Sequence, residues 1–290
     1  MELYLLIPLL IALYKNLTPA VAQSKILLPG VPVTEPHLPS RCRPPDPDLN
    51  FRPLIGILSH PGDGASGRLY NASDASYIAA SYVKFVEAAG ARVVPLIYNE
   101  PTDILLSTLS LVNGVIFTGG RVKSGLYYEV VDAIFKKILE RNDAGEHCPL
   151  LAICLGFELI SMIISKFGVS PERLQGNADL SHFFRILTTS TDKDGKVYVS
   201  TAQACHYPMT AVQWHPEKNA FEWGYAMIPH SEDAIKVTQN VANYLVGEAR
   251  KSSNRPPARK VLDNLIYNYR STYGGKVGWG YDEVYIFSHA

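Results

Sequence analysis

Leu150-Leu151-Ala152-Ile153-Cys154-Leu155-Gly156-Phe157 is the stretch that decides the fold. Four apolar residues read as a short buried strand, a cysteine ends it, and Gly156 allows a sharp turn into a helix over residues 157–165. This is the cysteine form of the nucleophile elbow known from α/β-hydrolases. It lifts the thiol above the sheet at a helix N-terminus, where the dipole and free amides favour the thiolate. Gly156 also lets the backbone pass close to a bound substrate. Taken alone, a free cysteine is more often a small buried hydrophobe, so the elbow gains its weight from what surrounds it.

Working outward, strands and helices alternate. Residues 54–58 form an apolar run suited to a buried parallel strand. A helix is expected over 76–89, with Ile78, Tyr82, Phe85, Val86 and Ala89 on one face and Gly90 at its end. Strand 92–96, helix 104–111, strand 114–118 and helix 127–141 follow. Beyond the elbow, strands 184–189 and 196–200 make a hairpin through Asp192-Lys193-Asp194-Gly195, then come strand 211–214 and helix 232–250. The alternation predicts an α/β fold, a doubly wound and mostly parallel sheet with flanking helices. In such a sheet active residues stand just past the carboxyl ends of the strands.

Two of those strand ends carry chemistry. Thr118-Gly119-Gly120 closes the strand before the elbow, and an amide of this pair, with that of Leu155, can hold an oxyanion. Val212-Gln213-Trp214-His215-Pro216-Glu217 ends a later strand. His215 can take the thiol proton and return it to a leaving amine, and Glu217 can fix its tautomer. Cys154, His215 and Glu217 are therefore the candidate catalytic residues. Arg68 and Lys123 are candidates to bind substrate carboxylates.

The chain ends and bulk composition set the context. Residues 3–14 are nearly all apolar and Ala20-Val21-Ala22 has the small-x-small pattern of a cleavage site, so residues 1–22 read as a signal peptide. A dozen apolar residues are too few to span a bilayer, and no stable membrane anchor is expected. Residues 23–52 read as a proline-rich arm, 53–250 as the catalytic domain and 251–290 as a peripheral C-terminal extension. Asn71-Ala72-Ser73 is a glycosylation acceptor that fits export. Four cysteines allow at most one bridge if Cys154 stays free. A formal net charge of zero gives no electrostatic footprint for nucleic acid.

The elbow together with Trp214-His215-Pro216-Glu217 resembles class I glutamine amidotransferases. The longer strings Ala152-Ile153-Cys154-Leu155-Gly156-Phe157-Glu158 and Gln213-Trp214-His215-Pro216-Glu217-Lys218-Asn219-Ala220-Phe221-Glu222-Trp223 resemble γ-glutamyl hydrolases of the plant type. So do Pro53-Leu54-Ile55-Gly56-Ile57-Leu58-Ser59-His60-Pro61-Gly62 and Phe117-Thr118-Gly119-Gly120. The likeness runs from about residue 53 to 223. It implies Cys154 as nucleophile, His215 as base and Glu217 as orienting carboxylate, with folylpoly-γ-glutamates as substrate and no metal or organic cofactor. It also implies residence in the vacuole or outside the cell, including the cell wall, and leaves room for a homodimer.

One departure stands out. Between the elbow helix and Phe167-Gly168-Val169-Ser170-Pro171, family members carry several dozen further residues, including a histidine implicated in substrate binding. Nothing here matches that histidine; His182 and His206 lie in other contexts. The gap motivates a second reading, a weakened or inactive variant kept as a binding or dimerising partner. A glutaminase serving a synthetase is disfavoured, because the chain carries no synthetase domain.

Overall fold

β1 (Leu54–Leu58) is buried at all five positions, and its side chains alternate between two separate apolar clusters. Leu54 and Leu58 face one, Ile55 and Ile57 the other. A strand covered on both faces belongs at the centre of a parallel sheet. β1 accordingly pairs in parallel with β4 (Arg92–Leu96) on one side and β5 (Gly114–Phe117) on the other. β5 continues in parallel to β6 (Leu150–Ile153), and β6 to β9 (Met209–Val212). β8 (Val197–Ala204) and β7 (Phe184–Thr191) extend this edge antiparallel, giving the order β4-β1-β5-β6-β9-β8-β7.

This computed structural model describes residues 46–69, 71–165, 176–274 and 280–288. The expected signal peptide and residues 23–45 of the proline-rich arm lie outside them. Helices α2 (Thr102–Leu109), α3 (Leu126–Asp143) and α4 (Leu155–Ser165) supply one cluster. Helices α1 (Ala80–Glu87) and α7 (Glu232–Arg250) supply the other. The doubly wound fold is thus present. The chain leaves β1 toward β4 and then crosses to β5, so the winding reverses between β1 and β5. Ligands bind at such a crevice. No helix of the described residues is long and apolar enough to cross a membrane.

Three expectations need correction. Residues 76–79 are not helix: β3 (Ala75–Ala79) occupies them, and α1 begins only at Ala80. β3 is held by antiparallel pairing to β2 (His60–Pro61) and to β11 (Glu283–Ser288), a partner two hundred residues away. That pairing overrides the local helical pattern. The tail is also not peripheral. β11 joins β10 (Ser271–Tyr273), β3 and β2 in a second sheet, burying Val284 and Phe287. Ser252 is buried as well, and its hydroxyl accepts from Asn113 Nδ2 at 3.3 Å. Finally, the strand expected over 211–214 is β9 at Met209–Val212, which frees Gln213 and Trp214 to turn toward other partners.

Candidate active site

Cys154 sits between β6 and α4 with a φ of +52°, in the left-handed region. A side chain there is held by its surroundings rather than by preference. Here two hydrogen bonds do the holding: its N–H donates to Val212 O at 2.7 Å, and its carbonyl accepts from Glu158 N–H at 3.1 Å. Gly156 has the role of close approach, though to protein and not only to substrate. A Cβ on it would stand 2.7 Å from both Cβ and O of Phe117, so only glycine lets α4 rest against β5.

His215 follows β9, the neighbour of β6, and so comes to the thiol. Its Nδ1 lies 2.7 Å from Glu217 Oε1, and the Cys154 thiol is near enough to act on its ring. Glu217 is fully buried, and Pro216 O accepts from Thr238 Oγ1 at 2.6 Å, which ties the loop to α7. Burial pulls the His215 pKa down. The Glu217 charge, the Cys154 thiol and the Glu217 hydrogen bond outweigh it, and the result is raised to about 9. An imidazolium in this position is the charge partner of a thiolate nucleophile. Gln213 adds a further contact, its Nε2 3.8 Å from Cys154 Sγ and 3.2 Å from Glu158 Oε1.

The oxyanion assignment changes in one place. Gly119 N–H donates to the buried Tyr82 hydroxyl at 2.9 Å, so it is not available to a substrate oxygen. Gly119 is instead needed for packing, since a Cβ there would lie 2.5 Å from His215 Cε1. Gly120 does line the cavity in front of Cys154, with the His60 ring so near that no side chain fits. Leu155 opens α4, where first-turn amides lack intrahelical acceptors. Gly120 and Leu155 remain the candidate oxyanion donors.

That cavity holds about 720 Å³, and Cys154, His215, Tyr77, Tyr225 and Tyr281 are among its walls. Among the described residues its lysine and arginine are Arg121 and Lys218. The two expected from sequence are engaged elsewhere: Arg68 donates to Tyr273 O at 3.0 Å, and Lys123 forms an ion pair with Glu158. His60 also borders the cavity; its Nδ1 lies 2.9 Å from Pro61 O and its Nε2 accepts from Arg121 N–H at 3.2 Å. Burial lowers its pKa, consistent with a neutral ring in that bonding pattern. His182 and His206 pair with each other, centroids 5.6 Å apart, and neither lines this cavity. Cys148, Cys154 and Cys205 are free thiols. Asn71 is exposed, its side chain accepting from Ser73 N–H at 3.0 Å. No group of three or more His, Cys, Asp or Glu among the described residues could hold a metal ion.

Sequence reasoning missed Tyr82, His60, Arg121, Lys218 and Tyr281. His60 and Lys218 lay inside quoted motifs, and their positions beside the elbow were the available signal. Tyr82 looked like an ordinary core residue of a helix, and Tyr281 gave no signal at all.

What the relay can do is attack an acyl carbon and pass the thiol proton to a leaving group, which makes this a cysteine hydrolase on an α/β scaffold. The family model for Peptidase C26 matches residues 53–165. The chain is 53% identical to γ-glutamyl hydrolase 2 of Arabidopsis thaliana, with 98% of this chain and 97% of that one covered. It is 49% identical to the γ-glutamyl hydrolase of Glycine max over 85% of this chain and 87% of that one. Against the mouse γ-glutamyl hydrolase the identity is 32%, over 81% and 90%. The chain belongs to the γ-glutamyl hydrolase family. The first of these alignments runs over 338 positions although the chain has 290 residues, so several dozen positions of that relative face no residue here.

Proposed function

We propose that this protein hydrolyses γ-glutamyl bonds of folylpoly-γ-glutamates through a Cys154 acyl-enzyme. The Cys154 thiolate attacks the γ-amide carbonyl, forming the C–S bond. The amides of Gly120 and Leu155 hold the oxygen that becomes negative. His215 gives its proton to the amide nitrogen as the C–N bond breaks, and the glutamate amine leaves while the shortened folyl chain stays on the sulfur. Water then enters, His215 accepts its proton, and the hydroxyl displaces the sulfur to release the acyl group. Glu217 keeps Nδ1 occupied throughout, so Nε2 alone exchanges protons with the reaction.

The observation that carries this reading is the Cys154–His215–Glu217 relay at the wall of a cavity that also holds two cations. The relay and the oxyanion donors are built entirely from residues present in the shortened chain. That favours an active hydrolase over the binding-partner reading. Incubation with pteroylpentaglutamate, followed by mass spectrometry, should show shortened glutamate chains with wild type and none with Cys154→Ala. Folded wild-type protein that leaves the pentaglutamate intact would sink the proposal.

Passage through the secretory pathway to the vacuole or cell wall is part of the same reading, supported by the apolar N-terminal run and by the exposure of Asn71. A mass loss on glycosidase treatment that is absent in Asn71→Gln tests it. Self-association as a homodimer rests on family likeness, and sedimentation of the purified protein measures it.

A further inference from the structure

Lys218 enters the cavity at the start of α6 (Lys218–Phe221), three residues after His215. Its ammonium lies 5.6 Å from the centroid of the Tyr281 ring, a cation–π contact that holds the stem in place. No carboxylate among the described residues is within ion-pair distance of it. The one carboxylate among the cavity's lining residues is Asp63, whose oxygens accept from Ala65 N–H at 3.1 Å and Ser66 Oγ at 2.8 Å. Glu222 feels the Lys218 charge, but its own Oε2 accepts from Asp282 N–H at 2.8 Å. A half-buried ammonium fixed on a ring and left without an anion among the described residues is a built receptor for one.

Position decides which anion. His215 protonates the departing nitrogen, so the leaving group stands over His215, and the Lys218 charge is close enough to act on that ring. Arg121, the cavity's other cation, follows Gly120 and so stands on the oxyanion side. We propose that Lys218 is the specificity residue for the leaving group, pairing with a carboxylate of the departing glutamate. This rests on the γ-glutamyl hydrolase reading and adds to it. The preference for a glutamate on the far side of the scissile bond comes from one lysine.

Two substrates with the same acyl side separate the effect. γ-Glutamyl-glutamate releases an amine bearing carboxylates; γ-glutamyl-p-nitroanilide releases an uncharged one. Lys218→Met should shrink the kcat/KM preference for the former by about 10- to 100-fold, the value of one charge-assisted hydrogen bond. Lys218→Gln should do the same, which guards against a packing effect of one substitution. Any change in His215 acts on both substrates and cancels in the ratio. Calorimetry on Cys154→Ala, with and without Lys218→Met, measures the same preference in binding alone. A preference unchanged in both assays overturns the role of Lys218 while Cys154-dependent hydrolysis stands. A preference lost in binding, in a protein that hydrolyses neither compound, keeps Lys218 as a carboxylate site but overturns the hydrolase reading and, with it, the leaving-group role.

Discussion

Glu217→Gln isolates what keeps His215 charged. The substitution preserves shape and the hydrogen bond at Nδ1 but removes a fully buried negative charge whose contact with the ring is 2.7 Å long. Opposite charges about 4 Å apart attract by about 4 kcal/mol at an effective dielectric of 20, which is about three pKa units. Taken from a value of about 9, a drop of that size lets burial rather than Glu217 govern the ring. The imidazolium would then be a minority species at neutral pH. The assay is the His215 ring titration by NMR in Cys154→Ala, compared with and without Glu217→Gln. Alongside it, the alkaline limb of kcat/KM in the otherwise native enzyme should move down by about the same interval. A ring whose titration Glu217→Gln leaves unmoved in that background would refute the electrostatic account and leave Glu217 as a mere hinge.

The same pKa predicts a stability profile. A folded-state value of about 9 against 6.5 contributes stability that is fully present below pH 6.5 and lost as pH rises through 9. At about 1.4 kcal/mol per unit this is on the order of 3 kcal/mol, so Tm should fall from pH 7 to 10 and flatten in His215→Gln. Tyr82→Phe takes away the acceptor of Gly119 N–H; leaving that buried donor unpaired should cost about 1–3 kcal/mol by urea titration, with kcat reduced more than KM. An unchanged urea midpoint would mean the contact is dispensable. Gly156→Ala must push α4 off Phe117. Overpacking of this kind costs about 1–3 kcal/mol and should abolish Cys154 alkylation at its native rate, measured by mass spectrometry.

The sheet and its site were legible where local signals agree with the final packing. Residues 150–153 and 232–250 form the expected strand and helix with matching ends, because an all-apolar run and a long amphipathic pattern leave little choice. Residues 76–79 misled because Ile78 fits a helical face as well as a buried strand position. The deciding partner, Tyr285 with its neighbours in β11, is remote in sequence. That Cys154 and His215 meet was readable since each sits at a strand end beside the other's strand. The cations were not: whether Lys123 or Lys218 faces the cavity depends on Glu158 claiming the first and Tyr281 placing the second. Gly119 was read as an oxyanion donor, a role that could not be judged from sequence because Tyr82, which takes its amide, comes from a remote helix.

Tyr281 reaches the cavity from a stretch that follows every member of the relay in the chain, and it is anchored by the pairing of β11 with β3. The reactive sulfur can therefore meet its imidazole before the chamber around them has closed. Until that late ribbon docks, Lys218 lacks the ring beneath it, and the enzyme would have its cutting edge without its grip.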